Sequence, residues 1–165
     1  MAISRVSGQF ADELAELHDG SISLFVTLPV FRQLLQSTQG AAVLAECEAV
    51  LGEHLAHLDG IVGTVLTDTN RRDGDLTGSL FRSLTRVRRL PASPVRDEEI
   101  IGVVQQAQLF LMGSCSFALR IARQSGLDRC VYILERSLLR LRSLAVRDAL
   151  PFATTSSREL SGAVA

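Results

Sequence analysis

The sequence of 165 residues contains no lysine, no tryptophan and only one tyrosine. All 17 basic side chains are therefore arginines, which excludes Schiff-base chemistry, pyridoxal phosphate anchoring and a Walker-type phosphate loop. With 5% aromatic residues and a formal net charge of −1, the chain also lacks the basic, aromatic surface that nucleic-acid binding requires. We predict no nucleic-acid partner, and we interpret the cluster Arg82, Arg86, Arg88 and Arg89 as a solvated face paired with nearby acids.

Cysteine is scarce as well, since Cys47, Cys115 and Cys130 are odd in number and far apart. This spacing indicates neither a disulfide framework nor a zinc knuckle, so we expect buried, reduced thiols. Cys47 precedes His54 by two helical turns, about 10 Å along a helix axis, which is too far for a direct hydrogen bond. An apolar environment would make Cys115 inert. We therefore predict no catalytic cysteine.

We expect no secretory signal, because acidic residues rather than an apolar run follow the first ten positions. The stretch 100–119 is free of charge and long enough to cross a bilayer, but it contains three glutamines and two glycines. We interpret it as a fully buried bundle helix. The sequence thus predicts a cytoplasmic protein without a membrane partner.

Apolar residues recur at intervals of three and four along most of the chain, which is typical of bundle helices. We expect Gly40 to separate the first two helices, Gly126 to cap the third long one, and Pro151 to end the fourth. The pattern predicts an all-α, antiparallel four-helix bundle with a short extra helix in the long middle connection. We expect one domain over 1–150, a loosely ordered tail over 151–165, and helices at 7–37, from after Gly40 to 67, and at 76–90, 94–124 and 128–151.

The third long helix carries a second apolar stripe, formed by Val103, Phe110, Phe117 and Ile121. A helix that is apolar on more than one side has to be buried on both. We predict that this stripe is the interface of a homodimer. The alternatives are an unknown protein partner, or coverage of the stripe by the helix predicted at 76–90.

Five short motifs occur in order along the chain: Phe10-Ala11-Asp12-Glu13-Leu14, Leu17-His18-Asp19, Leu28-Pro29, Glu53-His54-Leu55 and Val95-Arg96-Asp97. In this order they resemble the YciE/YciF type of ferritin-like protein over residues 10–150. The resemblance implies a bundle similar to the ferritin-like di-metal carboxylate proteins, an association with bacterial stress responses and a tendency to form homodimers. The biochemical activity of that family is poorly defined, so the resemblance implies architecture more than chemistry.

The sequence departs from this family at the metal ligands. A ferritin-like di-iron centre takes one glutamate from each of two helices and a Glu-x-x-His pair from each of the others, and no Glu-x-x-His occurs here. In the resemblance, the inward ligand positions correspond to Ser21, Gln108, Leu111 and Leu141. We therefore predict a degenerate metal site, no cofactor and no catalytic residue. Because an unpartnered buried polar group costs about 1 to 3 kcal/mol, Ser21, His54 and Gln108 are expected to hydrogen-bond one another.

Two interpretations of the three histidines remain open. His18, His54 and His57 could form a three-histidine site for zinc, nickel or copper, or His54 could be a lone core imidazole with the other two half-exposed. The leading functional hypothesis is a non-catalytic structural or interaction protein linked to stress by resemblance. The alternatives are a metal-binding redox or storage protein, and a carrier of hydrophobic small molecules in a pocket between helices.

Overall fold

The computed structural model describes the backbone of residues 2–65 and 74–161, and the side chains of 8–65 and 74–144. This part of the chain contains five helices and no strand, which confirms the all-α prediction. A short helix lies in the connection between the second and third long ones, also as predicted. The helices are α1 (Ala2–Leu34), α2 (Thr38–Val65), α3 (Asp75–Arg89), α4 (Pro94–Gln124) and α5 (Asp128–Ser161).

The four long helices form a bundle in which α1 packs on α2 and α4, and α5 packs on α4 and α2. The core consists of apolar residues at helical spacing that are at most 2% exposed, such as Leu24 of α1, Leu58 of α2 and Leu134 of α5. The three-residue connection after Leu34 makes α2 run antiparallel to α1. The short helix α3 lies outside this core, against α1 and α4.

Local sequence signals explain both ends of α4. Ser93 caps the N-terminus, since its hydroxyl accepts the Arg96 N–H at 3.3 Å, and Pro94 follows at the first helical position. At the other end Gly126 has a φ of 66°, a left-handed conformation that favours glycine. The Gly126 N–H donates to the Arg123 carbonyl and the Leu127 N–H to the Ala122 carbonyl, which is a Schellman motif. The predicted glycine cap is confirmed.

Two predicted helix boundaries are wrong. Gly40 lies in the first turn of α2, where its N–H donates to the Ser37 hydroxyl at 3.0 Å, so Ser37 acts as the cap. The backbone of α5 continues past Pro151 to Ser161. Proline removes one backbone donor and disturbs the turn before it, but the helix on either side can continue. The predicted end of α2 at 67 lies outside the described residues, and the loose order of the tail stays a prediction.

The helix α4 is long and apolar enough to cross a membrane by length and composition alone. It packs, however, between α1, α3 and α5. It buries an amide side chain, Gln108, together with its apolar stripe. This arrangement is that of a bundle core helix.

Arg96 and Asp97 of α4 form hydrogen bonds to the C-terminal ends of α1 and α3 and to the connection between α1 and α2. The buried Asp97 carboxylate accepts the N–H of Gln36 at 3.1 Å and that of Ser37 at 2.8 Å. The Arg96 guanidinium donates to the carbonyls of Leu34 and Leu90, at the ends of α1 and α3. The Val95-Arg96-Asp97 motif therefore fixes where α1, the α1–α2 connection and α3 meet α4.

Replacing Asp97 by alanine should lower the free energy of unfolding by about 2 kcal/mol, because the charge-assisted hydrogen bonds from two backbone N–H groups to its buried carboxylate are lost. Urea denaturation measures the loss. The neighbouring, exposed Glu98 provides the matched control, since Glu98→Ala should change stability by less than about 0.5 kcal/mol. Equal losses of stability in the two variants would contradict a stabilising role of the hydrogen bonds to Asp97.

Candidate functional site at the centre of the bundle

A hydrogen-bonded serine and histidine occupy the centre of the bundle. Ser21 of α1 and His54 of α2 are both 0% exposed. The Ser21 hydroxyl donates to the Leu17 carbonyl at 2.7 Å, so its oxygen accepts a proton from the His54 Nε2, which lies 3.1 Å away. This network assigns the imidazole proton to Nε2. The predicted contact between Ser21 and His54 is confirmed.

Burial, together with the smaller effects of the neighbouring His57 and His18, lowers the pKa of His54 from 6.5 to about 4. The imidazole is therefore neutral at pH 7. Its Nδ1 is buried and has no hydrogen-bond partner among the described residues. A neutral imidazole suits either a hydrogen-bonded core or a metal site, so the surrounding groups decide its role.

Gln108 takes a different partner from the one expected. It is 3% exposed, and its amide nitrogen donates to the Cys47 sulfur at 3.2 Å. The prediction that Gln108 joins Ser21 and His54 is therefore wrong. Helical side chains lean toward the N-terminus of their helix, and Cys47 lies nearer than His54 to the end of the bundle where α4 begins. The amide therefore reaches the cysteine two turns away from the imidazole.

Leucines fill two of the positions that the family resemblance assigned to ligands. Leu111 of α4 is 0% exposed and Leu141 of α5 is 1% exposed. A Cβ atom on Gly20 of α1 would lie 3.3 Å from a Leu111 methyl carbon and 3.2 Å from one of Leu76. The glycine thus lets α1 approach α3 and α4 closely. The apolar packing around Leu111 is tight.

The other two histidines do not join His54 in a ligand set. The Nε2 of His18 lies 2.9 Å from the Asp59 carboxylate of α2, and its Nδ1 lies 3.8 Å from that of Asp19. His57 is half-buried, and its Nδ1 has no partner among the described residues. No group of three or more histidine, cysteine, aspartate or glutamate side chains is arranged for a metal ion within residues whose placement is described. The predicted three-histidine alternative is therefore not assembled there.

Carboxylates are almost missing from the described interior. Its buried polar or charged residues are His18, Ser21, His54, Asp97, Gln108 and Ser137. Of these only Asp97 carries a carboxyl group, and it binds the α1–α2 connection at one end of the bundle. The Glu53 side chain is 53% exposed and pairs with Arg140 at 3.3 Å. The sequence indicated Asp97 only as part of the Val95-Arg96-Asp97 motif, and it gave no signal for the buried Ser137.

The three cysteines are buried and none of them forms a disulfide, as predicted. Burial raises the pKa of Cys115 to about 12, and its sulfur lies 3.6 Å from the Leu134 carbonyl, to which the thiol donates. Burial also raises the pKa of Cys130. Such thiols stay protonated at neutral pH and are poor nucleophiles. The arrangement offers no activated cysteine at these two positions.

The stripe predicted as a dimer interface is largely covered within the single chain. Val103 is 7% exposed and Ile121 is 4% exposed, so neither presents a surface to a second copy, and the prediction is wrong for these two residues. Phe110 is half-buried at the edge of α3, and the Arg120 guanidinium lies 4.8 Å from the centre of the half-buried Phe117 ring. The short helix α3 covers the first part of the stripe, which was the alternative expectation.

Between α3 and α4 runs an open groove of about 230 Å³. Its floor is apolar, and serine, aspartate and glutamine side chains line its edges. This groove lies on the outside of the bundle, away from Ser21 and His54. Its lining residues are Asp75, Leu76, Ser79, Leu80, Ser83, Val103, Gln106, Ala107 and Phe110.

The architecture matches a solved structure. The crystal structure of the E. coli stress protein YciF aligns with a TM-score of 0.77 over 87% of this chain and 92% of that chain, at 14% sequence identity. The chain has the YciF fold. This ferritin-like helical bundle confirms the resemblance at the level of the fold. No protein-family model matches the sequence, and no curated protein matches it either.

Proposed function

We propose that this chain is a YciF-like bundle without a di-metal centre, and that it works as a structural or interaction protein. The observation that carries the proposal is the pairing of Ser21 with a neutral His54 beside the buried Leu111 and Leu141. In a ferritin-like metal protein, carboxylates and imidazoles meet at the bundle centre. Here an uncharged hydrogen-bonded pair and apolar side chains meet instead.

The chemistry of these side chains opposes the binding of two divalent cations. Iron and similar ions bound in a bundle interior need anionic oxygen ligands, which offset the cost of removing the cation from water. The one buried carboxylate among the described residues, that of Asp97, is already engaged by backbone N–H groups. The nearest candidate on α2, Glu53, points to solvent and pairs with Arg140.

The proposed association with stress rests on the similarity to the solved structure. The solved neighbour is described as a stress protein, which supports a stress-associated role for this chain. Reduced cysteines support a cytoplasmic location, because the three buried cysteines form no disulfide. Since the described side chains at the bundle centre are an uncharged Ser21–His54 pair and leucines, we infer that the protein acts through its outer helix faces.

Added metal tests the proposal. A ligand at 1,000 times its dissociation constant stabilises the folded state by about 4 kcal/mol. We expect that 1 mM ferrous iron (under anaerobic conditions), manganese or zinc leaves the free energy of unfolding unchanged within about 0.5 kcal/mol, in the wild type and in His54→Gln alike. Stabilisation of the wild type that His54→Gln abolishes would replace this proposal with a metal-binding function.

The groove between α3 and α4 favours a second candidate, a carrier of hydrophobic small molecules. Leu76, Leu80 and Val103 provide an apolar floor, and Asp75 and Gln106 provide polar edges. A carrier should release a hydrophobic compound on organic extraction of the purified protein, detectable by mass spectrometry. Ala107 lines the groove, so the larger side chain of Ala107→Phe should fill it and abolish co-purification of the compound. A structural or interaction protein would release no such compound from either variant.

A further inference from the structure

The open groove between α3 and α4 continues into a second lobe toward the start of α4. The first lobe, of about 230 Å³, and the second, of about 290 Å³, share Val103 and Gln106 as lining residues. Phe110 lines the far end of the first lobe, and Val95 lines the far end of the second. Residues 95–110 of α4 span about 22 Å, so the two lobes form one elongated groove. We call it the α3–α4 groove.

The first lobe has an apolar floor, which Leu76 and Leu80 of α3 form together with Ala107 of α4. A narrow, elongated and apolar floor suits a hydrocarbon chain better than a compact molecule. Burial of such a chain removes methylene groups from water, which is worth about fourfold in affinity for each group that is fully buried. The first lobe therefore favours a ligand with an apolar tail.

The second lobe contains the charged groups. Of the described residues that line it, Arg86 is the one cation, and its guanidinium pairs with the Glu99 carboxylate. Glu98 also lines this lobe, is exposed, and makes no ion pair with any described residue. Gly102 follows Glu98 by one helical turn, and a Cβ atom on it would meet no atom within 4 Å. The second lobe thus combines an uncompensated negative charge with open space for a head group.

We propose that the α3–α4 groove binds a single-chain amphiphile with a cationic head group, a long-chain alkylammonium ion. Its apolar chain lies on the floor of the first lobe, and its ammonium group lies beside the Glu98 carboxylate. An anionic head group would meet an acid at either end of the groove, Glu98 or Asp75. The inference rests on the carrier function, the second candidate above, and deepens it by naming the class of ligand.

Binding of decylammonium, decanol and decanoate to the full chain, measured by titration calorimetry at pH 7 and low salt, tests the charge of the head group. Decylammonium should bind about 5-fold more tightly than decanol, as expected for one exposed ion pair, and about 20-fold more tightly than decanoate, since repulsion replaces attraction. Glu98→Gln should reduce the preference over decanol to less than about 2-fold. Glu53→Gln, the same exchange on α2 outside the groove, should leave this preference unchanged.

A larger side chain inside the groove tests the place of binding. Gly102→Leu should weaken decylammonium binding at least about 10-fold, because the leucine occupies the second lobe. Gly113→Leu is the matched control, since Gly113 lies on the same helix but does not line the groove. A Cβ atom on either glycine meets no atom within 4 Å, so both variants should fold, which circular dichroism checks.

Equal affinities for the three probes, or decylammonium binding that Gly102→Leu leaves unchanged, would overturn the inference and keep the carrier function. No binding of any probe up to about 1 mM would overturn both. Metal content is independent of these measurements. A metal-loaded protein that passes them would remove the metal-free proposal and keep the α3–α4 groove as a site for cationic amphiphiles.

Discussion

Replacing Leu111 by alanine should lower the free energy of unfolding by about 3 to 5 kcal/mol, the cost of a cavity in a tightly packed core. The side chain is 0% exposed and packs at the point where Gly20 brings α1 close to α4. If the bundle centre at this position were an open ligand pocket, removal of three carbon atoms would cost far less. Urea denaturation at pH 7 measures the difference.

Leu109→Ala is the control for this prediction. Leu109 lies two residues earlier on the same helix and is 62% exposed, so the same truncation should change stability by less than about 0.5 kcal/mol. The contrast separates burial from helix propensity, because both variants exchange leucine for alanine within α4. Similar losses for the two variants would show that Leu111 does not fill the centre of the core.

The folded state should lose roughly 3 kcal/mol of stability from His54 alone between about pH 6.5 and pH 4. The pKa of His54 is lowered from 6.5 to about 4 in the folded chain. In this window the unfolded state binds a proton that the folded state does not. Stability therefore falls as the pH falls, and it is fully recovered above the unfolded pKa.

The matched variant for the pH prediction is His54→Gln, which keeps a donor for the Ser21 hydroxyl and does not titrate. Urea denaturation of both proteins at several pH values between 7 and 4.5 gives two curves. Their difference removes the contribution of the carboxyl groups and of the other histidines. We expect the wild type to lose stability more steeply than His54→Gln, and parallel curves would contradict a neutral, buried His54.

Patterns within single helices could be predicted from the sequence. The spacing of apolar residues predicted the long helices and the short α3, and Gly126 marked the C-terminal end of α4. The burial of Ser21 and His54 followed from their position within apolar stripes. These features depend on local geometry, which a residue and its near neighbours determine.

Features that depend on which helices meet could not be predicted. The partner of Gln108 depends on the axial offset between α2 and α4, which no pattern along one helix contains. The apolar stripe that contains Val103 predicts that this side chain is buried, but it does not show which element covers it. We therefore predicted a dimer interface, whereas the single chain buries Val103. Asp97 shows the same limit, since an acid near a helix start predicts a dipole interaction, whereas its carboxylate holds the distant α1–α2 connection.

If the proposed metal-free function holds, the bundle centre accounts for a ferritin-like architecture without ferritin-like ligands. The Ser21–His54 hydrogen bond satisfies two buried polar groups, and Leu111 and Leu141 add apolar packing to the same core. An emptied carboxylate site would leave acids buried without counter-charges, which is costly. Substitution by neutral and apolar residues removes that cost.

The most direct test of this account is the metal content of the purified chain, measured by elemental analysis. The protein should be produced without an affinity tag, in medium supplemented with iron and zinc, alongside His54→Gln. We expect a stoichiometry near zero metal ions per chain for both proteins. About two metal ions per chain in the wild type would contradict the metal-free bundle, and one ion that is lost in His54→Gln would establish a histidine-dependent site instead.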